Sequence, residues 1–270
     1  MTVSDPSTSL PGSVRLRRQP PPLQPVTVAA RHELSPRLLR FRFEGPGLRE
    51  LAEADPAASV RLLVPSSGVL QLVMPEWNGN EFLLPDGSRP ALRTFTPLRI
   101  DRQAGALDLE IVRHPGGAVS TWAEAAESGA GAAISGPGKG YAVDPDASRF
   151  ILLGDETAIP AISDLLEALP ADVSVDVHVE VETATAEVPL PSHPGRSLDW
   201  HLRTAGAAPG TSLVEVAGRL DRLDESSRLW AAGEAASMQG IRNHLFKVLA
   251  VPRNQTSIRG YWKPPRRRAV

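Results

Sequence analysis

Apolar and polar positions alternate with a period of two along the first half of the chain and gather into continuous apolar runs along the second. Leu38-Leu39-Arg40-Phe41-Arg42-Phe43 sets apolar residues against arginines and stops at Glu44-Gly45-Pro46-Gly47. That is the pattern of a half-buried strand closed by turn residues. Leu107-Asp108-Leu109-Glu110-Ile111-Val112 alternates in the same way, and Val26–Ala30 and Val60–Pro65 are two further β-prone stretches. Short strands at this spacing, from Val26 to about Ile134, predict an antiparallel barrel or sandwich.

The pattern changes near residue 145. Phe150-Ile151-Leu152-Leu153-Gly154 is a continuous apolar run, as in a strand buried on both faces. A helical stretch over 158–168 follows, then an alternating strand over 173–181. Leu213-Val214-Glu215-Val216 reads as another short strand, and Arg228–Gly233 as a second buried run. A helix over about 235–249 and a closing strand at Ile258–Trp262 complete the chain. Strands alternating with helices predict a parallel α/β sheet. The fold class is therefore two-domain β + α/β, with a boundary near Asp144–Ala147. The expected units are a Ser/Pro/Arg-rich, disordered extension (1–22), a β domain (23–145), an α/β domain (146–263) and a basic tail (264–270).

Composition narrows the function classes. Hydrophobic residues make up 41% of the 270 and charged residues 22%, which is ordinary for a globular protein with one or two real cores. The formal net charge of −2 gives a nucleic-acid partner no global support. Cysteine is absent, which removes disulfides, thiolate metal sites, iron–sulfur clusters and cysteine nucleophiles. The six histidines are scattered and no H-E-x-x-H motif occurs, so no metal site is expected. There is no G-x-S-x-G elbow and no Walker A sequence. No apolar run reaches the ~18 residues of a spanning helix, and the N-terminus has no apolar run of signal-peptide length. The expectation is a cytoplasmic, monomeric chain without integral membrane contact.

Four stretches could carry chemistry. Arg93-Thr94-Phe95-Thr96-Pro97-Leu98-Arg99 places an arginine, an aromatic and a hydroxyl in alternation, which predicts all three on one face of a strand. The arginine fork suits phosphate oxygens, the ring can cover a flat ligand, and Thr96 can bond a heteroatom at its edge. The same stretch also reads as an ordinary strand with a core Phe. At His114-Pro115-Gly116-Gly117-Ala118-Val119-Ser120-Thr121 a strand ends and a helix opens on small and hydroxyl residues. Free N–H groups there attract anions, and glycine lets a ligand approach. A plain capped turn, with His114 as a turn residue, has the same pattern. Gly154-Asp155-Glu156-Thr157-Ala158-Ile159-Pro160-Ala161 and Trp230-Ala231-Ala232-Gly233-Glu234-Ala235 each end a buried strand and open a helix, at the edge where α/β sheets place ligands. Neither has G-x-G-x-x-G spacing, and the acids could serve only as helix caps.

In this order the pieces resemble the ferredoxin-reductase-like flavoproteins, and within them the siderophore-interacting proteins. Gly154–Ile162 is similar to that family's D-E-T-A-x-P-A-I signature. Trp230–Ala235, Arg259-Gly260-Tyr261-Trp262 and Trp200-His201-Leu202-Arg203 are similar to it as well. The resemblance covers residues 26–263. It implies a six-stranded antiparallel barrel holding FAD, a nicotinamide nucleotide (NADH or NADPH) at the α/β sheet, and reduction of ferric siderophores to release Fe(II). It implies that Arg93 contacts the FAD phosphate, Phe95 packs on the isoalloxazine and Thr96 sits near its reactive edge. His114, Gly116, Gly117, Ala118, Ser120 and Thr121 would surround the pyrophosphate. Asp155 and Thr157 would lie near the flavin, and Gly233, Glu234, Ala235 and Trp262 would line the nucleotide crevice. Arg61 and Lys263 would give the anionic siderophore a basic mouth.

Three departures from the family pattern stand out. Phe95 replaces the usual Tyr, which keeps the ring and loses the phenol. Arg99 comes three positions after Thr96, where the family has an arginine at two. The strand commonly reading His-Val-Lys-Leu is Ser59-Val60-Arg61-Leu62, which keeps the charge in another shape. Outer-sphere electron transfer needs no catalytic acid or base, so none is assigned. Glu182 and Glu187 follow the strand ending at Val181 and lean the choice of donor toward NADH, with Arg196 and Arg203 as possible counterweights.

Overall fold

In the computed structural model the described residues are 20–66 and 71–264. The extension expected over 1–22 lies outside them except for Pro20–Pro22, and the basic tail does so except for Pro264.

The β half consists of β1 (Gln24–Ser35), β2 (Leu38–Glu44), β3 (Val60–Val64), a separate hairpin of β4 (Glu76–Trp77) and β5 (Phe82–Leu83), β6 (Ala91–Phe95), β7 (Pro97–Asp101), β8 (Ala106–Val112), helix α1 (Ala118–Ala125) and β9 (Gly131–Ser135). Among the described residues seven strands form one antiparallel sheet in the order β6-β3-β9-β1-β2-β8-β7. Its two ends, β6 and β7, are consecutive in the chain and separated only by Thr96. Counted as one kinked strand, they restore the expected six and curl the sheet toward closure. Alternation does the folding here: Leu39, Phe41 and Phe43 of β2 and Leu107, Leu109 and Ile111 of β8 are all buried in one core, with Arg40 and Arg42 facing outward. Trp122 of α1 stacks on Phe43 at 6.3 Å and 13°, so the helix plugs one end of this core.

The α/β half runs β10 (Arg149–Asp155), α2 (Ile159–Ala168), β11 (Ser174–Val181), β12 (Arg196–Leu202), α3 (Thr211–Gly218), β13 (Ser227–Glu234), α4 (Ala235–Asn243) and β14 (Thr256–Trp262). The strands are parallel, in the order β12-β11-β10-β13-β14. The central strands β10 and β13 carry the continuous apolar runs because helices cover both faces. Leu213–Val216, expected as a strand, lies instead in α3, and the fifth strand is β12.

The halves share a core and polar ties. Leu38 and Ala57 of the β half join the apolar cluster around α2. The Ala57 N–H donates to Asp164 Oδ2 at 2.8 Å, Arg228 Nε donates to Asp144 Oδ2 at 2.7 Å, and Arg37 Nε donates to Glu156 Oε2 at 2.7 Å.

Candidate functional site

Strand β6 is paired on one side only, by β3, and α1 packs beside it. In the register Phe95 lies opposite Val60, Arg93 opposite Leu62 and Thr94 opposite Arg61. Arg93 and Phe95 therefore share the face of Val60 and Leu62, and Phe95 packs against the barrel core. Thr96 does not share that face. It has the opposite parity, which period-two geometry requires, and is 6% exposed at the β6–β7 kink. The Tyr261 side chain of β14, 37% exposed overall, brings its phenol near this hydroxyl. The kink thus lies beside the last strand of the α/β sheet.

Helix α1 begins at Gly117 without a side-chain cap. Its first N–H groups are free of the bond that a Ser or Asp cap would make. The reason is that the cap residue is itself a glycine; Ser120, buried inside the first turn, accepts from the His114 backbone N–H at 2.9 Å and ties the turn together. A Cβ at Gly117 would run into the His114 ring, so only glycine lets the ring fold under the turn. Thr121 is exposed on the helix. Arg93, Phe95, Gly116, Gly117 and Ala118 are thereby gathered at one end of the barrel. Arg93 is exposed, and among the described residues its Nη1 donates only to its neighbour's carbonyl, Leu92 O, at 2.8 Å.

Arg61 lines a cleft of about 1000 Å³ that Arg93 also borders, together with Trp77, Phe82 and Lys139. Lys263 stands apart, exposed beyond β14. Arg99 belongs elsewhere. A bulge in β7 absorbs the extra residue, Arg99 adopts φ 47°, and it faces Asp108 in a second cleft of about 460 Å³ on the outside of the barrel.

At the carboxyl edge of the α/β sheet, Asp155 joins three strands. Its Oδ1 accepts from the Thr157 N–H at 2.9 Å and the Thr157 hydroxyl at 2.5 Å. Its Oδ2 accepts from the Glu234 N–H at 2.9 Å and Trp262 Nε1 at 2.7 Å. Burial pushes this carboxyl above its ordinary range, and the four donors draw it back. Gly233 sits at φ 155°, and a Cβ there would lie 2.6 Å from Asp155 Oδ2. Glu234 caps α4 by accepting from the N–H groups of Ala236 and Ser237 at 2.7 and 2.9 Å. Asp155, Thr157, Gly233, Glu234, Ala235 and Trp262 are thus brought together, with both carboxylates already engaged by protein donors.

Sequence reasoning missed three features. Buried Glu180, next to last in β11, accepts from the N–H groups of Gly210 and Ser212 at 2.5 and 2.9 Å, capping α3 from a distant strand. Glu182 bridges Arg203 at 2.6 Å and Arg37 at 2.7 Å. The Trp77–Phe82 pair (centroids 5.2 Å apart, 61°) faces the Arg61 cleft. Only the last left a sequence signal, two aromatics flanking Asn78-Gly79-Asn80, a hairpin pattern.

Comparison with known proteins agrees with this architecture. Residues 27–141 match the family model of the siderophore-interacting FAD-binding domain, and residues 147–265 match that of siderophore-interacting proteins. The mycobactin import ATP-binding/permease protein IrtA of Mycolicibacterium smegmatis is 28% identical over 87% of this chain, which spans only 25% of IrtA. The ferric vibriobactin reductase ViuB of Vibrio cholerae is 28% identical over 85% of each chain. A siderophore utilization protein from T. fusca superposes with a TM-score of 0.80 at 29% identity, covering 91% of this chain and 94% of that one. The ferredoxin reductase of carbazole 1,9a-dioxygenase shares the fold alone, with a TM-score of 0.66 at 16% identity over 91% of this chain and 71% of that one. Among the described residues no helix is long and apolar enough to cross a membrane. This chain, built on two main sheets with an open β6–α1 edge, belongs to the siderophore-interacting protein family.

Proposed function

We propose that the chain is a flavoprotein reductase that takes electrons from NAD(P)H through FAD to a ferric siderophore and releases Fe(II), with residues 23–145 as the flavin unit and 146–263 as the nucleotide unit. One observation carries this reading. Thr96, at the kink of the flavin strand, stands beside Tyr261 in the last strand of the α/β sheet, and Arg259 of that strand donates to the Gly140 carbonyl of the β half at 3.0 Å, so ligands held by the two halves would meet there.

The residues present fit FAD. The uncapped start of α1 offers backbone N–H groups to a pyrophosphate. Arg93 is exposed and, among the described residues, bonded only to its own strand, and Phe95 offers a half-buried ring beside it. When bound, FAD supplies the passage from a two-electron donor to one-electron reduction of Fe(III). The chain's part is to hold and orient. Gly116, Gly117 and Ala118 present N–H groups, Arg93 neutralises phosphate charge, and Phe95 supports the ring system. Asp155 keeps Thr157, Gly233 and Trp262 in register. No side chain needs to move a proton, and none is assigned to do so.

Glu182 supports NADH as the donor. Both its oxygens are bridged by arginines, and Arg196 is engaged by the carbonyls of Leu190 and Pro191. A 2′-phosphate would meet a carboxylate and no free arginine from this set. The test is anaerobic: reduction by NADH or NADPH followed at the flavin band, then a ferric siderophore with an Fe(II) trap. Bleaching by NADH and recovery with Fe(II) formation are expected. Flavin that stays reduced in the presence of the siderophore would overturn the substrate, and preference for NADPH would overturn the donor.

A further inference from the structure

Around Arg99 the outer wall of the barrel buries charge where a barrel usually meets water. Asp108 and Glu110 alternate along β8 with Leu107, Leu109 and Ile111, so they point away from the barrel core. Positions on that side of an antiparallel sheet are ordinarily solvated, yet Asp108 is 4% exposed and Glu110 5%. Arginines of β2 and β7 face them. Arg40 Nε donates to Glu110 Oε1 at 3.0 Å. Arg42 Nη1 and Arg99 Nη1 approach opposite oxygens of Asp108, at 3.4 and 3.5 Å. Burial pushes the Glu110 carboxyl above its ordinary range against the pull of Arg40. Ion pairs withdrawn from water in this way add little stability, so folding alone does not account for them.

Charge and backbone both point to a missing partner. Arg40 and Glu110 balance each other. Arg42 and Arg99 share the single charge of Asp108, which leaves one guanidinium charge in excess. Glu44 and Asp101 stand 3.7 and 3.9 Å from Arg42, but both are half exposed and water screens them. At 3.4 and 3.5 Å neither Arg42 nor Arg99 commits its fork of donors to Asp108. Arg99 also sits at φ 47°, which a side chain other than glycine holds at a cost and which tends to mark functional positions. That conformation sets its guanidinium beside a cleft of about 460 Å³, lined also by His32, Arg40 and Arg42. The cleft shares no lining residue with the one that Arg61 and Arg93 border.

We propose that this cleft binds a doubly charged oxyanion, a free phosphate or the phosphate group of a small ester, held between Arg42 and Arg99. The planar forks suit phosphate oxygens. Asp108 sets the two arginines side by side from beneath, and the anion completes the set from the solvent side. His32 offers a ring nitrogen at the same cleft. None of these residues is assigned to the flavin, the nucleotide or the siderophore, so the site stands or falls independently of the reductase reading.

The test is equilibrium dialysis of the full chain, saturated with FAD, against radiolabelled inorganic phosphate at constant ionic strength made up with chloride. Phosphate should bind with a dissociation constant of about 1 mM or tighter. Label released by glycerol phosphate would show that the site admits esters, and label retained would show that it takes the free ion. Arg99→Gly should weaken binding about tenfold while the urea midpoint stays level or rises, because glycine holds a positive φ without strain. A residue that served only the fold would lower the midpoint and leave phosphate binding unchanged. Arg42→Gln should weaken binding about as much as Arg99→Gly, and Arg61→Ala, in the other cleft, should leave it unaltered. Equal binding by the unaltered chain and a folded Arg99→Gly protein would overturn the site. So would phosphate that chloride displaces as readily as phosphate itself does, which would be an adventitious ion only.

Discussion

At the β6–α1 edge of the barrel, polar groups face outward with few partners among the described residues, while at the carboxyl edge of the α/β sheet they face one another. Among the described residues Arg93 bonds only its own strand, and α1 starts uncapped. Across the interface, Asp155 accepts four hydrogen bonds, Glu180 two, and Glu234 two. Buried polar groups without partners cost stability. An edge left unengaged therefore has to remain wet or be completed by a ligand, and an edge that engages itself is scaffold. This divides the site residues by role. Arg93, Phe95 and Gly116–Ala118 would touch a cofactor. Asp155, Glu234 and Trp262 would position the surfaces that a nucleotide meets.

The sharpest way to break this division is Asp155→Ala. It leaves the Glu234 and Thr157 N–H groups and the Trp262 indole without their acceptor. The expected loss is about 3–5 kcal/mol of unfolding free energy in urea. A loss under about 1 kcal/mol would mean that the edge holds together without its carboxylate and that Asp155 is free to serve a ligand. Gly233→Ala should cost less, about 1–3 kcal/mol, because the new Cβ must push Asp155 aside and the residue sits at positive φ. It too should act on stability first. On the open side the pattern should invert. Arg93→Ala should leave the urea midpoint almost unchanged and weaken FAD binding about tenfold, or about 1.4 kcal/mol, by equilibrium titration of flavin fluorescence. Lost stability with intact FAD affinity would place Arg93 in the scaffold and erase the contrast.

How far this could be read from the chain follows the reach of each interaction. The strands of both halves were legible because their burial is periodic and local: Leu39, Phe41 and Phe43 alternate, and Phe150–Leu153 do not. The segment Leu213–Val216 misled for a physical reason. Its alternation and β-branched residues favour a strand, yet it forms α3, whose N-terminus is capped by Glu180 from thirty residues upstream. No local signal contains that carboxylate. Thr96 was misplaced as to face, since parity from Arg93 already puts it opposite. Arg99 was flagged by spacing alone, and the bulge that turns it outward is a response of β7 to pairing with β8. The four-bond role of Asp155 was out of reach because its donors come from three strand ends that meet only in the folded sheet.

The smallest effect asks whether this self-engagement reaches the outer edge of the α/β sheet. There His178 of β11 lies with its Nδ1 3.1 Å from His201 Nε2 and 3.5 Å from Asp199 Oδ2. Two imidazole nitrogens at that distance share one hydrogen. Burial first, and then the neighbouring His201 ring, hold the His178 pKa below its ordinary 6.5, while Asp199 and Asp176 oppose the shift and Arg219 adds to it. A depressed imidazole pKa means that the unfolded chain takes up the proton first. The stability tied to neutral His178 is therefore complete above pH 6.5 and is lost as pH falls below that value toward the folded-state pKa. His201→Gln keeps a polar partner and removes the neighbouring imidazole. Its loss of unfolding free energy between pH 7.5 and 5.5 should be smaller than that of the unaltered chain, by less than about 1 kcal/mol. Equal losses in the two proteins would show that the pair does not act as a unit and that the engaged edge stops short of β12.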